Sequence, residues 1–327
     1  MFYYISKSNQ AAFNQATEEY FLKNFDESFY MLYRNKAAIV IGKHQNALAE
    51  INLDKCEEEG IEIVRRLSGG GTVFHDEGNL NYCFISNGKK GELINFRKYS
   101  QPVIDVLQTL NVNAKFEGKS DLTIDGLKFS GNASHIYRNK VMQHGTMLFS
   151  SDLSRLNSLL KVNPLKFRDR GVRSIRSRVT NISDHLSTPL SIEELQNKII
   201  NHVQSQFPEV KPYELTEEDH QAIQKLMEEK YLKWEWNFGY SPKYKFERLI
   251  SFPNGNILEV ELDIEKGRIV RSEILGNCIK MGNISELENK LLNIPHHKES
   301  LLLELEQIDL NEYFLNLELN ELIRAIF

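Results

Sequence analysis

Cysteine is scarce in this chain. Cys56, Cys83 and Cys278 are the three in 327 residues, odd in number and far apart. They form neither the paired spacing of a zinc site nor an even disulfide framework, which points to a reducing compartment, the cytoplasm. None of the nine histidines joins a Cys/His cluster of ligand spacing, so the sequence offers no metal site. Long apolar runs are missing too. Nothing approaches membrane length, and the opening Met1-Phe2-Tyr3-Tyr4-Ile5-Ser6-Lys7 has no charged region followed by an apolar one. Neither a membrane partner nor a secretory signal is expected. Positive charge is not in excess. A net charge of −5 and a pI of about 6.0 argue against nucleic acid as a partner. No repeat or low-complexity segment occurs. The chain's glycine-rich segment lacks the Gly-Lys-Ser/Thr ending of a phosphate loop, and no Gly-x-Gly-x-x-Gly opens a helix.

One segment stands out among what is present: Arg65-Arg66-Leu67-Ser68-Gly69-Gly70-Gly71-Thr72-Val73-Phe74-His75-Asp76. Three consecutive glycines are costly in backbone entropy and mark a place where the chain bends sharply or another group comes close. Such a loop can aim several amide N–H groups at an anion, and adjacent arginines add charge and bidentate donors for phosphate or carboxylate. A plain surface turn is the alternative; the arginines and flanking strands favour an anion-binding loop.

A composition of 41% hydrophobic and 26% charged residues suits a soluble chain with a full core, and the length suggests two domains. Phe13, Ala16 and Tyr20 share a helical face over 11–22, with Glu18 and Glu19 on the other side. Strands are expected at 29–33, 38–41 and 61–64, and a hairpin from 73–75 and 80–85. A helix should begin at Pro102. Strands return at 112–116, 120–124, 127–133 and 141–149. Ser191 with Glu194 predicts a capped helix to about 205, and Thr216 with Asp219 starts another. After Trp234-Glu235-Trp236-Asn237-Phe238-Gly239 come strands at 244–252, 257–264 and 268–275, then helices. Strands and helices mix without strict alternation. This predicts an α+β fold with a mixed or antiparallel central sheet flanked by helices, plus a small C-terminal α+β domain. The expected division is 1–242 and 243–327.

Other residues carry possible chemistry. Lys128, in Gly126-Leu127-Lys128-Phe129-Ser130-Gly131, lies in an apolar strand, although lysines are more often merely solvated. Asp121 precedes it by seven residues and could equally be an exposed aspartate. His144, in Gln143-His144-Gly145-Thr146-Met147-Leu148, could be a satisfied core histidine. The run from Gly171 to Ile182 holds Arg173, Arg176 and Arg178 at non-helical spacing, a pattern usual for a solvated face.

Together these stretches resemble the lipoate–protein ligase A family, in which Arg-Arg-x-Ser-Gly-Gly-Gly-x-Val-Phe-His-Asp leads to Gly-Asn, here Gly78-Asn79. Ile41-Gly42-Lys43-His44-Gln45-Asn46, the lysine strand, the His144 strand, the arginine run and the Trp234–Gly239 stretch follow in the family's order, spanning about 14 to 242. The resemblance implies a catalytic domain shared with biotin ligases and a small C-terminal domain that moves during the reaction. It implies that lipoate is activated by ATP, bound with Mg2+, to lipoyl-AMP. The lipoyl group then passes to a lysine on lipoyl domains of 2-oxoacid dehydrogenase complexes or on the glycine cleavage H protein.

The same resemblance gives residues their expected roles. Lys128 is catalytic and contacts both substrates. Arg66, Gly71, Thr72, Val73, Phe74, Asp121, Arg173, Arg176 and Arg178 bind the nucleotide. Arg65, Ser68, Gly69, Gly70, His75 and His144 serve lipoate. Lys119, Ser120 and Gln143 depart from the family's usual Arg, Asn and His. The rivals are an octanoyl or lipoyl transferase of the same fold, which needs a cysteine thioester, and an acyl-adenylate-binding homologue without catalysis. Biotin ligase is disfavoured because its Gly-Arg-Gly-Arg-x-Gly loop is absent.

Overall fold

The computed structural model describes residues 1–88, 94–160, 167–175, 177–280 and 284–327. Its strands are β1 Phe2–Ile5, β2 Phe29–Arg34, β3 Ala38–Ile41, β4 Glu62–Arg65, β5 Val73–His75, β6 Asn79–Asn87, β7 Ala114–Glu117, β8 Asp121–Ile124, β9 Leu127–Tyr137 and β10 Lys140–Leu148. They continue with β11 Phe167–Asp169, β12 Lys211–Pro212, β13 Tyr244–Ser251, β14 Ile257–Glu265 and β15 Arg268–Gly276. The described residues fall into two compact units, neither of them one stretch of chain. The first draws on Met1–Lys43, Asn52–Lys161 and Arg173–Lys233, the second on His44–Ile51, Val162–Val172 and Trp234–Phe327.

The first unit is built on an eight-stranded sheet ordered β12-β1-β2-β6-β10-β9-β8-β7. β1 lies parallel to β2 and β12; the other neighbours are antiparallel. The parallel β1–β2 pair needs a crossover, which the helix Ala11–Asn24 supplies. A small second sheet, β4-β3-β5, carries the glycine segment between its outer strands. Helices Phe96–Thr109 and Ile192–Gln206 contribute Val103, Leu107, Leu195 and Ile199 to a core with Tyr82, Phe129 and Met147. The second helix is closed by the expected capping box: Ser191 Oγ accepts from Glu194 N at 3.1 Å, and Glu194 Oε2 from Ser191 N at 2.7 Å. The fold is α+β with a mixed sheet, as the order of elements predicts.

The differences are instructive. The helix expected from Pro102 begins at Phe96, where Asn95 Oδ1 accepts from Lys98 N at 3.0 Å. Pro102 removes one backbone bond inside it, but Val103, Ile104, Val106 and Leu107 are all buried, and that packing sustains the helix. The helix Ala11–Asn24 has no solvated Glu18–Glu19 face. Both carboxylates are buried. Glu19 meets Lys23 and Lys230 at 2.6 Å and accepts from Tyr231 Oη at 2.6 Å. Burial alone would raise its pKa, but the Lys230 charge and the hydrogen bonds outweigh it and hold it below the usual carboxylate range.

Gly145 on β10 permits a close approach across the sheet. A Cβ there would lie 2.4 Å from Asn132 Oδ1 and 2.8 Å from the Tyr82 ring, two groups that hydrogen-bond to each other. Gly145→Ala should therefore cost about 1–3 kcal/mol as an overpacking change, read as a lower urea midpoint at unchanged m-value.

The second unit packs β11-β13-β14-β15, all antiparallel, over a separate core that includes Phe246, Val260, Leu262, Leu301 and Phe314. No helix of the described residues is long and apolar enough to cross a membrane.

Candidate functional site

The glycine segment leaves β4 at Arg65 and re-enters the small sheet at Val73. Both arginines are buried at its base. Arg65 Nη1 donates to the carbonyls of Gly42 (3.0 Å) and Lys43 (3.2 Å). Arg66 spends four of its N–H groups on the protein: Nε on Ser68 Oγ (3.0 Å), Nη1 on Val40 O (3.0 Å), and Nη2 on Gly69 O (2.6 Å) and Gly71 O (2.7 Å). Burial lowers its pKa to about 10, against the smaller raising effects of Tyr33 and Glu18, so it keeps its charge at neutral pH. These bonds hold the loop. Because a trans peptide sets N–H opposite C=O, turning the Gly69 and Gly71 carbonyls toward Arg66 turns the Gly70 and Thr72 amides away from it. Gly70 is exposed and sits at φ +88°, where a side chain would be strained and its Cβ would lie 3.0 Å from Arg66 Nη2.

Ser68 begins a buried line of hydrogen bonds. Its Oγ lies 2.6 Å from His144 Nε2 on β10, and His144 Nδ1 lies 2.8 Å from Glu18 Oε2. Tyr33 Oη donates to Glu18 Oε1 at 3.0 Å and accepts from Gln15 Nε2 at 3.1 Å. His75 is buried separately, its Nδ1 2.9 Å from Asn35 Nδ2. Burial first, then the Arg66 charge, lowers its pKa to about 3, so its ring is neutral. Phe74 is a core residue with the Arg155 guanidinium over its ring at 5.6 Å. Val73 pairs with Val40 in the small sheet. Glu18, Tyr33 and Asn35 were missed by sequence reasoning, because an acid in an amphipathic helix reads as solvated.

Lys128 lies at an irregularity in β9, where the pairing with β8 shifts between Leu122 and Thr123. Its Nζ is 3.0 Å from Asp121 Oδ1, with both side chains about one-third exposed. A Cβ on Gly131 would sit 3.1 Å from that ammonium, so the glycine keeps its place clear. The backbone of Lys128 is held by the arginine-rich run: its N–H donates to Arg178 O at 2.9 Å, and its C=O accepts from Thr180 N at 3.0 Å. Upstream, Ser174 Oγ accepts from Thr72 N at 3.0 Å. The segment thus touches both the glycine loop and the lysine. Arg173 and Arg178 are exposed; Arg176 lies outside the described residues.

All three thiols are buried. Burial raises the Cys83 pKa well above the usual thiol value, with further push from Glu18. Burial also takes Cys56 to about 12, and raises Cys278. A thiolate nucleophile has no support in any of these positions.

The family model for the lipoyl protein ligase A/B catalytic domain matches residues 10–204, more than half of the chain. This chain belongs to the lipoyl protein ligase A/B family. A second model, for the bacterial lipoate protein ligase C-terminus, matches residues 241–326. Lipoate–protein ligase 1 of Staphylococcus aureus is 39% identical over 327 residues, covering 99% of each chain. Among solved structures, a lipoate–protein ligase A bound with ATP superposes with a TM-score of 0.61 at 25% identity, covering 73% of this chain and 100% of that one. The bipartite ligase of Thermoplasma acidophilum, studied with its E2 lipoyl domain, gives 0.64 at 25% identity, covering 73% and 96%. In this family member the glycine loop, Ser68–His144 and Lys128–Asp121 all lie in the unit that carries the matched catalytic domain.

Proposed function

We propose that this chain is an ATP-dependent lipoate–protein ligase. The observation that carries the reading is the 39% identity to a lipoate–protein ligase along the whole chain, with Lys128 paired to Asp121 in the matched catalytic region. A lipoate carboxylate oxygen attacks the α-phosphorus of ATP; the new O–P bond forms as the bond to pyrophosphate breaks. The neutral amine of an acceptor lysine then attacks the acyl carbonyl. An amide forms, AMP leaves, and the amine gives up its proton.

Two anions must meet in the first step. Lys128 stands between them as a compact ammonium and offsets their repulsion. Asp121 orients that ammonium. Mg2+ would accompany the nucleotide and neutralise phosphate charge, and Asp121 is a hard oxygen donor suited to one of its waters. The outward Gly70 amide of the glycine loop binds phosphate. Ser68, His75 and His144 border the acyl side. Arg173, Arg176 and Arg178 close over the adenylate, shielding the mixed anhydride from water. Residues 1–242 are assigned to catalysis and 243–327 to an accessory domain. The acceptors are lipoyl domains of 2-oxoacid dehydrogenase complexes or the H protein.

Lipoate-dependent exchange of pyrophosphate into ATP, without acceptor, tests this directly. Exchange is the expected result. Its absence, alongside acyl transfer from a carrier protein, would move the chain to the transferases. A variant with Cys56, Cys83 and Cys278 all changed to alanine should keep its ATP-dependent lipoylation within about threefold. The buried, protonated thiols motivate this expectation. A trapped thioester, or loss of transfer in a folded variant, would count against it.

A further inference from the structure

We propose that Glu18 is a positioning residue for adenylate formation: through His144 it fixes the direction of the Ser68 hydroxyl, and with it the shape of the 68–72 loop. The inference deepens the ligase reading above and rests on it.

With the His144 ring neutral and Glu18 a carboxylate, each link in the line has one direction. Arg66 Nε can only donate, so Ser68 Oγ accepts there. The hydroxyl proton is then free for His144 Nε2, at 2.6 Å. That requires Nε2 to be bare and Nδ1 to carry the proton, which is donated to Glu18 Oε2 at 2.8 Å. The other carboxylate oxygen accepts from Tyr33, whose own oxygen accepts from Gln15. Burial, with the Glu18 charge next, keeps the Tyr33 phenol protonated. The carboxylate is where donors from both sides end. Ser68 is thereby locked as the acceptor for Arg66, the same guanidinium that turns the Gly69 and Gly71 carbonyls.

A glutamine at 18 offers one acceptor and one donor. If its amide nitrogen faces His144, two N–H groups meet and the ring must change tautomer. The Ser68 proton then loses its fixed target, and the loop its single arrangement.

Glu18→Gln and Ser68→Ala should each lower the kcat of pyrophosphate exchange about tenfold, within the usual range of coupling between residues in one hydrogen-bond network. The KM for ATP should change less than kcat. The double variant should be no slower than Ser68→Ala alone, because Glu18 acts only through Ser68. Losses that multiply, or a Glu18→Gln enzyme with parental kcat, would overturn the proposal. A merely structural role for Glu18 would persist in the Ser68→Ala background. Imidazole 15N NMR of the unaltered protein gives a second readout that needs no reaction. It should show His144 protonated on Nδ1 and bare on Nε2, and the opposite tautomer would overturn the relay even if the variants fold poorly. Failure of the unaltered chain to exchange pyrophosphate would instead remove the ligase reading.

Discussion

Lys128→Ala should reduce lipoyl-adenylate formation by on the order of 10²–10³-fold while the protein stays folded, as expected for loss of one preorganised charge. The side chain is not core packing. Its ammonium reaches Asp121 at 3.0 Å in a partly open position, so truncation leaves no cavity and no buried unpaired group. The strand around it is secured independently, by Thr123 on one side and the 178–180 backbone on the other. Lys128→Arg should fail as well. Gly131 keeps side-chain atoms away from the ammonium, and a planar fork cannot replace a compact ammonium between two anions. Pyrophosphate exchange measures the step, with the thermal midpoint as control. Near-parental exchange by Lys128→Ala would remove it from the mechanism.

Arg66→Met should do something different: it should damage the fold and the reaction together. Methionine matches the length of the side chain but carries no donors. Three carbonyls, those of Val40, Gly69 and Gly71, and the Ser68 hydroxyl would lose their partner inside the protein. Each buried acceptor left without its donor costs about 1–3 kcal/mol, so together they remove a large part of the stability of an ordinary domain. Adenylation should fall even in the fraction that remains folded, because nothing then turns the Gly70 amide outward. Chemical denaturation and exchange, measured on the same sample, check both. Parental stability with only a raised KM for ATP would instead indicate that Arg66 is a direct phosphate ligand.

The two arginines show how far the sequence could be read. Their position beside three glycines located the loop correctly, because glycine content and charge are local properties. Whether a guanidinium faces out or in depends on which carbonyls the fold brings within reach, and Val40 lies on a strand that precedes it by 26 residues. Glu18 shows the same limit. Its partners Tyr33 and His144 come from β2 and β10, and nothing in the local pattern of the helix indicates that an acid there will be buried. Lys128 and Asp121 were easier. A turn of two residues, Asp125 and Gly126, both with positive φ, folds β8 back on β9, so the spacing along the chain already sets them side by side. The capping boxes at Ser191 and Thr216 were legible for the same local reason.

The inaccessibility of the three native thiols has a practical side. Maleimide and disulfide reagents need an exposed thiolate, and here each sulfur is covered and held protonated. The native protein should therefore be nearly silent to such reagents. Ile175 is 90% exposed and sits one residue from Ser174, which touches the glycine loop. A cysteine installed there should take a fluorophore selectively, with no need to strip the chain of its own cysteines, and would give an optical signal from the arginine-rich segment during turnover.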